Sequence, residues 1–135
     1  LVTERPGRLI RIGKDQRYAI LLNQPLTYGE GGLHGIALHP HFSSNQWIYL
    51  YRTIKKGRHT VNRVERYRLE NDTLKDKTII IDDIPGAMYH DGGRIAFGPD
   101  GYLYVATGDA SQEDLAQNIH SLAGKILRLL DDGSI

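Results

Sequence analysis

One pattern returns three times along this chain, and it limits the possible folds more than any other feature. Arg8-Leu-Ile-Arg-Ile-Gly-Lys-Asp15, Val64-Glu-Arg-Tyr-Arg-Leu-Glu-Asn-Asp72 and Lys125-Ile-Leu-Arg-Leu-Leu-Asp-Asp132 each alternate basic and apolar residues and end in an acidic turn. Asp15 and Asp72 are 57 residues apart, and Asp72 and Asp132 are 60 apart. A second series keeps the same spacing. Gly32-Leu-His-Gly-Ile-Ala-Leu-His-Pro40 matches Gly93-Arg-Ile-Ala-Phe-Gly-Pro99, with Pro40 and Pro99 59 residues apart. Each period has room for about four strands, and it lies a little above the roughly 40–50 residues of common propeller repeats. The expected fold is therefore all-β, a part of a β-propeller with four-stranded antiparallel blades and elaborated loops.

Local punctuation agrees. Short β-branched or alternating runs are separated by Gly, Pro, Asn and Asp. Strands are predicted near 7–12, 17–22, 33–38, 46–53, 61–69, 77–83, 93–98, 102–107 and 124–130. Trp47-Ile48-Tyr49-Leu50-Tyr51 and Tyr102-Leu103-Tyr104-Val105 have no polar alternation, as strands covered on both faces would have none. Only 111–122 could hold a helical turn, with Ser111 and Asp114 as a weak capping pattern; a long loop is the expected state. On this parse, residues 1–25 are the outer strands of one blade, 30–86 a complete blade and 92–135 three strands of the next. Both ends read as cut from something longer, so the chain is expected to be a single incomplete propeller domain of about two blades, where closed propellers have about 4–8.

Composition removes several classes of chemistry. The 135 residues contain no cysteine, which excludes disulfides, thiolate metal sites and cysteine catalysis. Seventeen Lys and Arg against 16 Asp and Glu give a formal charge of +1, so no global field favours nucleic acid or an anionic membrane. No apolar run approaches the roughly 20 residues of a membrane span.

The segment Met88 to Asp109 concentrates residues suited to chemistry. His90 stands at the entry of a predicted strand and Asp109 at the exit of its partner. The two ends of an antiparallel hairpin lie side by side, so these distant residues should meet at one rim of the sheet. A carboxylate beside an imidazole fixes the tautomer and stabilises the imidazolium, which is what a general base requires. Gly92 and Gly93 remove side chains beside His90 and would let a flat ligand approach the backbone. A plain loop histidine in a glycine turn is the alternative.

The block His90-Asp-Gly-Gly-Arg-Ile-Ala-Phe-Gly-Pro-Asp-Gly-Tyr-Leu-Tyr-Val-Ala-Thr-Gly-Asp109 resembles the soluble PQQ-dependent sugar dehydrogenases, the family of bacterial glucose and aldose sugar dehydrogenases. Ala116-Gln-Asn118, Leu122-Ala-Gly-Lys-Ile-Leu-Arg-Leu129 and Asp132-Gly-Ser-Ile135 follow in the same order. Glu4-Arg-Pro-Gly-Arg8, Gly29-Glu-Gly-Gly-Leu33 and Ile36-Ala-Leu-His-Pro40 match its earlier segments. The resemblance implies a six-bladed propeller, usually exported to the periplasm or beyond. It implies an oxidoreductase that oxidises the anomeric carbon of aldose sugars to lactones by hydride transfer to PQQ. His90 would be the base and a cofactor contact, Asp109 its partner, and Glu30 a residue near the sugar. The family's Arg-Asn-Pro-Gln segment, its Ca²⁺-binding turn and its later Lys and Arg residues belong beyond residue 135, so the remaining PQQ contacts and the Ca²⁺ ligands are expected there. This piece alone should then neither bind PQQ tightly nor turn over. Two departures stand out: His34 replaces a leucine, and His41 replaces an aspartate.

Other features read more simply. His34, His39 and His41 could suggest a metal cluster, but strict alternation would place His34 on the face opposite the other two, leaving solvated rim histidines. Residues 52–68 carry seven Lys and Arg (Arg52, Lys55, Lys56, Arg58, Arg63, Arg66, Arg68) against Glu65 alone. A solvated hairpin with its turn at Lys55-Lys-Gly57 is expected in preference to an anionic-polymer patch. Asp109 to Asp114 lacks the glycine and glutamate of an EF-hand loop. Asn71-Asp-Thr73 is a glycosylation sequon, without meaning in a bacterial protein. No nucleotide-binding glycine motif is present. The rival classes are a non-catalytic propeller module for protein or glycan binding, and a metal-dependent propeller hydrolase.

Overall fold

The structure is a computed structural model, and it describes residues 1–14, 16–21 and 27–135. The end of the 17–22 strand prediction and the first acidic turn at Asp15 lie outside the described residues. Among the described residues ten strands form three antiparallel sheets. The first sheet contains β1 (Val2–Glu4), β2 (Arg8–Ile12) and β3 (Arg17–Leu21), in that order. The second contains β4 (Leu33–Leu38), β5 (Trp47–Lys56), β6 (His59–Glu70) and β7 (Thr73–Pro85), again in chain order. The third contains β8 (Gly92–Phe97), β9 (Leu103–Thr107) and β10 (Ile126–Leu129). Each strand pairs with the next in sequence, which is the up-and-down blade topology of a propeller. β4 and β8, which carry the Gly-Pro series, each open a sheet; of the three copies of the basic series two lie on β6 and β10, each third in its sheet, and the first lies on β2, the middle strand of the first sheet.

The second sheet is buried on both sides, and its sequence dictates this. Alternating residues of β5 point to opposite faces. Ile48 and Leu50 join Leu9, Ile20, Leu33 and Tyr67 in the core shared with the first sheet. Tyr49 and Tyr51 join Val64, Ile84, Ile95, Leu103 and Val105 in the core shared with the third. All four β5 side chains are fully buried. The far face of the third sheet differs. Ile126 is 76% exposed there, and Arg94 and Ala96 are also exposed.

Each face of the second sheet also encloses a cluster of buried polar side chains. Toward the first sheet, buried Glu65 meets Arg52 Nη1 at 3.3 Å and accepts the Tyr67 hydroxyl at 2.6 Å. Lys77 Nζ lies 2.7 Å from its other oxygen as an ion pair. Toward the third sheet, the buried Thr53 hydroxyl donates to Asn62 Oδ1 at 2.7 Å.

Several local expectations need correction. A one-turn helix, α1 (Phe42–Asn45), connects β4 to β5 where no helix is expected; it ends at Gln46 in the left-handed region, φ 57°. The β5–β6 turn is Gly57–Arg58, because Lys55 and Lys56 pair within the ladder opposite Thr60 and His59. The basic run is largely paired inside the sheet: Arg63 and Lys56 with Asp82, Arg68 with Asp76, and Arg66 stacked 3.9 Å over Trp47. The helical turn in 111–122 is α2 (Asp114–Gln117), but Ser111 does not cap it. Ser111 has φ 58°, and its N–H is committed to Asp109 Oδ1 at 2.9 Å.

The histidines are also rearranged. The register of β4 against β5 shifts between Leu33 and Ile36. This irregularity breaks the alternation, so His34 packs edge-on to Tyr51 and His39 stacks near Tyr49, on the same face. His39 is not solvated; its side chain is 11% exposed, with Nε2 3.3 Å from Asp131 and Nδ1 2.7 Å from Asn45 Nδ2. Among the described residues no group of three His, Asp or Glu side chains is arranged to hold a metal ion. No helix among them is long and apolar enough to cross a membrane.

Candidate active site

The rim where β8 begins and β9 ends brings three of the sequence-derived residues together. The hairpin pairs Gly92 with Thr107, so the residues just outside it face each other. His90 Nδ1 lies 2.9 Å from Asp109 Oδ1. The imidazole is 60% exposed, whereas the carboxylate is 24% exposed. Asp109 is fixed in turn by the Ser111 N–H at 2.9 Å. The hydrogen bond from His90, followed by the one from Ser111, holds Asp109 below the usual carboxylate range.

His90 sits in the left-handed region, φ 63°, which is costly for a residue with a Cβ. Contacts on every side hold it there. Its N–H donates to Glu30 Oε2 at 2.8 Å, and its carbonyl accepts the Ala110 N–H at 3.1 Å. The Glu30 N–H donates to the Met88 carbonyl at 2.8 Å, and the Ser111 hydroxyl to the Tyr89 carbonyl at 3.3 Å. Arg5 Nη1 donates to the Gly29 carbonyl, closing the loop that carries Glu30. Glu30 therefore contacts the backbone of His90, a role the sequence alone does not suggest.

The glycines also serve the packing of the chain itself, and Gly92 and Gly93 line the cavity beside them. A Cβ on Gly108 would lie 1.7 Å from the His90 carbonyl oxygen, and one on Gly92 2.5 Å from the Gly108 nitrogen. One on Gly93 would lie 2.6 Å from His34 Cβ. The space cleared by Gly92 and Gly93 is taken by the chain itself, which lets the His90 and Asp109 backbones approach. Next to these glycines, a cavity of about 520 Å³ is lined by Thr3, His34, Ile36, Arg94, Ile95 and Thr107, among others. Burial lowers the pKa of His34 in its wall.

Sequence reasoning also passed over Asp91. It is 1% exposed and sits directly beside His90. Its only sequence signal is a charged residue between a candidate base and a glycine pair.

Residues 1–135 match the family model described as Glucose / Sorbosone dehydrogenase. The chain is 31% identical over 134 residues to the quinoprotein glucose dehydrogenase B of Acinetobacter calcoaceticus, covering 79% of this chain and 28% of that protein. It is 34% identical over 114 residues to the aldose sugar dehydrogenase YliI of Escherichia coli, covering 81% of this chain and 31% of the relative. It thus spans about a third or less of each of these relatives. Among solved structures, the PQQ-bound aldose sugar dehydrogenase of Streptomyces coelicolor superposes with a TM-score of 0.90 at 34% identity, over 97% of this chain and 41% of that one. A family match along its whole length, with the strand order of propeller blades, shows that the chain belongs to the glucose/sorbosone dehydrogenase family.

Proposed function

We propose that this chain carries the proton-accepting part of the active site of a PQQ-dependent aldose dehydrogenase, which oxidises the anomeric carbon of an aldose to the lactone. The observation that carries the reading is the His90–Asp109 pair, 2.9 Å apart on an imidazole that is largely exposed. With Nδ1–H donated to the carboxylate, the Nε2 lone pair is left as the acceptor, the tautomer a base needs. His90 takes the proton of the anomeric hydroxyl at Nε2. Asp109, kept anionic by its hydrogen bonds, stabilises the imidazolium that results. PQQ, when bound, would supply the hydride acceptor for the same carbon, and the sugar would lose one proton to His90 and one hydride as the carbonyl forms. Glu30 steadies the His90 backbone and stands at the rim where a sugar would enter.

The residues present fit the reacting edge of such a site. They supply an open base, its carboxylate, and an adjoining cavity with Arg94 in its wall. A trianionic quinone needs further charge-assisted partners. We assign these, and the Ca²⁺ ligands, to residues beyond 135, and the parent protein to the periplasm or exterior. The names of the relatives, a quinoprotein glucose dehydrogenase and a PQQ-bound aldose sugar dehydrogenase, support the cofactor and the substrate class.

The test uses the full-length parent supplied with PQQ and Ca²⁺, following dye reduction with a panel of aldoses. His90→Ala should lower the quinone-dependent rate by roughly 10²–10⁴, the usual contribution of a general base. No rate with any aldose, in a parent shown to be folded, would favour the non-catalytic binding module.

A further inference from the structure

The conformation of His90 is held partly from below, by a buried polar chain that the proposed chemistry does not use. Asp91 Oδ1 accepts two hydrogen bonds, from the Ala87 N–H at 3.0 Å and from Asn62 Nδ2 at 3.0 Å. The first closes the loop 87–91 on itself, and the second ties it to β6. The Asp91 carbonyl accepts the buried Tyr51 hydroxyl at 2.7 Å, which ties it to β5. Asn62 is itself oriented by Thr53 at 2.7 Å and donates to the Pro85 carbonyl at 3.1 Å. Thr53, Asn62 and Tyr51 are all fully buried. Asp91 Oδ2 is also buried and has no hydrogen-bond partner among the described residues. A buried carboxylate with one empty oxygen is costly, so its retention needs an offsetting gain. A plain packing residue would provide none. What Asp91 does hold is the loop segment adjoining His90, whose own φ is 63°.

We propose that Asp91 is a positioning residue for His90: through Ala87, Asn62 and Tyr51 it locks the 87–91 loop in the conformation that brings the imidazole onto Asp109. This rests on the base role proposed for His90, and the active site is then aligned by the interior of the neighbouring blade. Misplacing a reacting group by about 1 Å can cost on the order of a hundredfold in rate.

The experiment compares Asp91→Ala, Asp91→Asn and Tyr51→Phe in the full-length parent, each checked for folding by circular dichroism and thermal unfolding. The first readout needs no activity. Histidine ¹⁵N–¹H spectra report the His90 tautomer and its hydrogen-bonded Nδ1 proton, assigned by its loss in His90→Gln. The expected result is that Asp91→Ala loses this signature and drops kcat at least about tenfold, with the sugar KM within about twofold. Asp91→Asn keeps an oxygen acceptor and should recover most of both losses. Tyr51→Phe removes a single hydroxyl and should weaken both in the same direction, so it carries the test if Asp91→Ala does not fold. An intact His90 signature in folded Asp91→Ala or Tyr51→Phe would overturn the proposal. So would an Asp91→Asn variant as impaired as Asp91→Ala. A lost signature in a parent with no quinone-dependent rate would sustain the positioning role and refute the dehydrogenase reading.

Discussion

At the scale of single residues, the candidate site is an imidazole whose direction is set by its neighbours, and the proposed reading makes it the base. Asp109→Asn keeps the shape of the pair but offers an amide donor, which favours the opposite tautomer of His90. We expect kcat to fall by roughly 10²–10⁴ with little change in sugar KM, measured by steady-state dye reduction in the full-length parent. Gly108→Ala should fail for a different reason. Its Cβ would meet the His90 carbonyl at 1.7 Å, a backbone atom that cannot swing aside. Urea unfolding should show a loss of about 1–3 kcal/mol, as overpacking usually costs, along with the activity. The proximity of His90 and Asp109 was legible in the sequence because a hairpin turns distance along the chain into proximity, even though the register of β8 against β9 shifts between Gly92 and Arg94. Asp91 was not legible. Nothing local tells a buried carboxylate from an exposed one; Asn62 and Tyr51, which bury it, lie 29 and 40 residues away.

At the scale of elements, alternation gave most strands to within a few residues, and it failed where the backbone breaks step. The irregularity in β4 moves His34 to the face of His39, and Gly35 was the signal passed over, since a lone glycine within a strand marks a bulge or a close backbone approach. The turn α1 was missed because four residues carry no period. β6 holds a testable electrostatic feature. Burial alone would raise the Glu65 pKa, but its contacts with Lys77, Tyr67 and Arg52 outweigh this and hold it below its ordinary 4.5. A depressed native value stabilises the fold above the unfolded-state pKa, and that contribution is lost as pH falls through the native value. Between pH 7 and pH 3 the unfolding free energy of the wild type should therefore fall more steeply than that of Glu65→Gln. Equal slopes would show that the contacts do not favour the charged form.

At the scale of the whole molecule, the sheets are held together by side chains that cross between blades. Leu103 is fully buried in the core joining the second and third sheets. Leu103→Ala should cost about 2–5 kcal/mol in denaturant unfolding. A polar clasp reinforces this joint. The Asp131 carbonyl accepts the Tyr49 hydroxyl at 3.0 Å, and Gly133 lies so close to Ile80 that a Cβ would sit 2.1 Å from its carbonyl oxygen. Tyr49→Phe should cost roughly 0.5–1.5 kcal/mol, the worth of one hydrogen bond.

The two-sided burial of the second sheet has a consequence for how the chain finds its register. In a sheet with one wet face, a slip of one residue exposes oil and buries charge, and hydrophobicity itself rejects the error. Here Ile48 and Leu50 would only trade places with Tyr49 and Tyr51, and both sides would stay greasy. The slip is nearly silent to the force that collapses the chain. What makes it audible is the cluster of buried polar side chains on each side: Asn62 seeks Thr53 and Asp91, and Glu65 seeks Arg52 and Tyr67. In a misaligned sheet each would be shut away from its mate. These few buried polar residues serve as the keying of the blade, so that apolar replacements could leave its stability intact while loosening its choice of a single alignment.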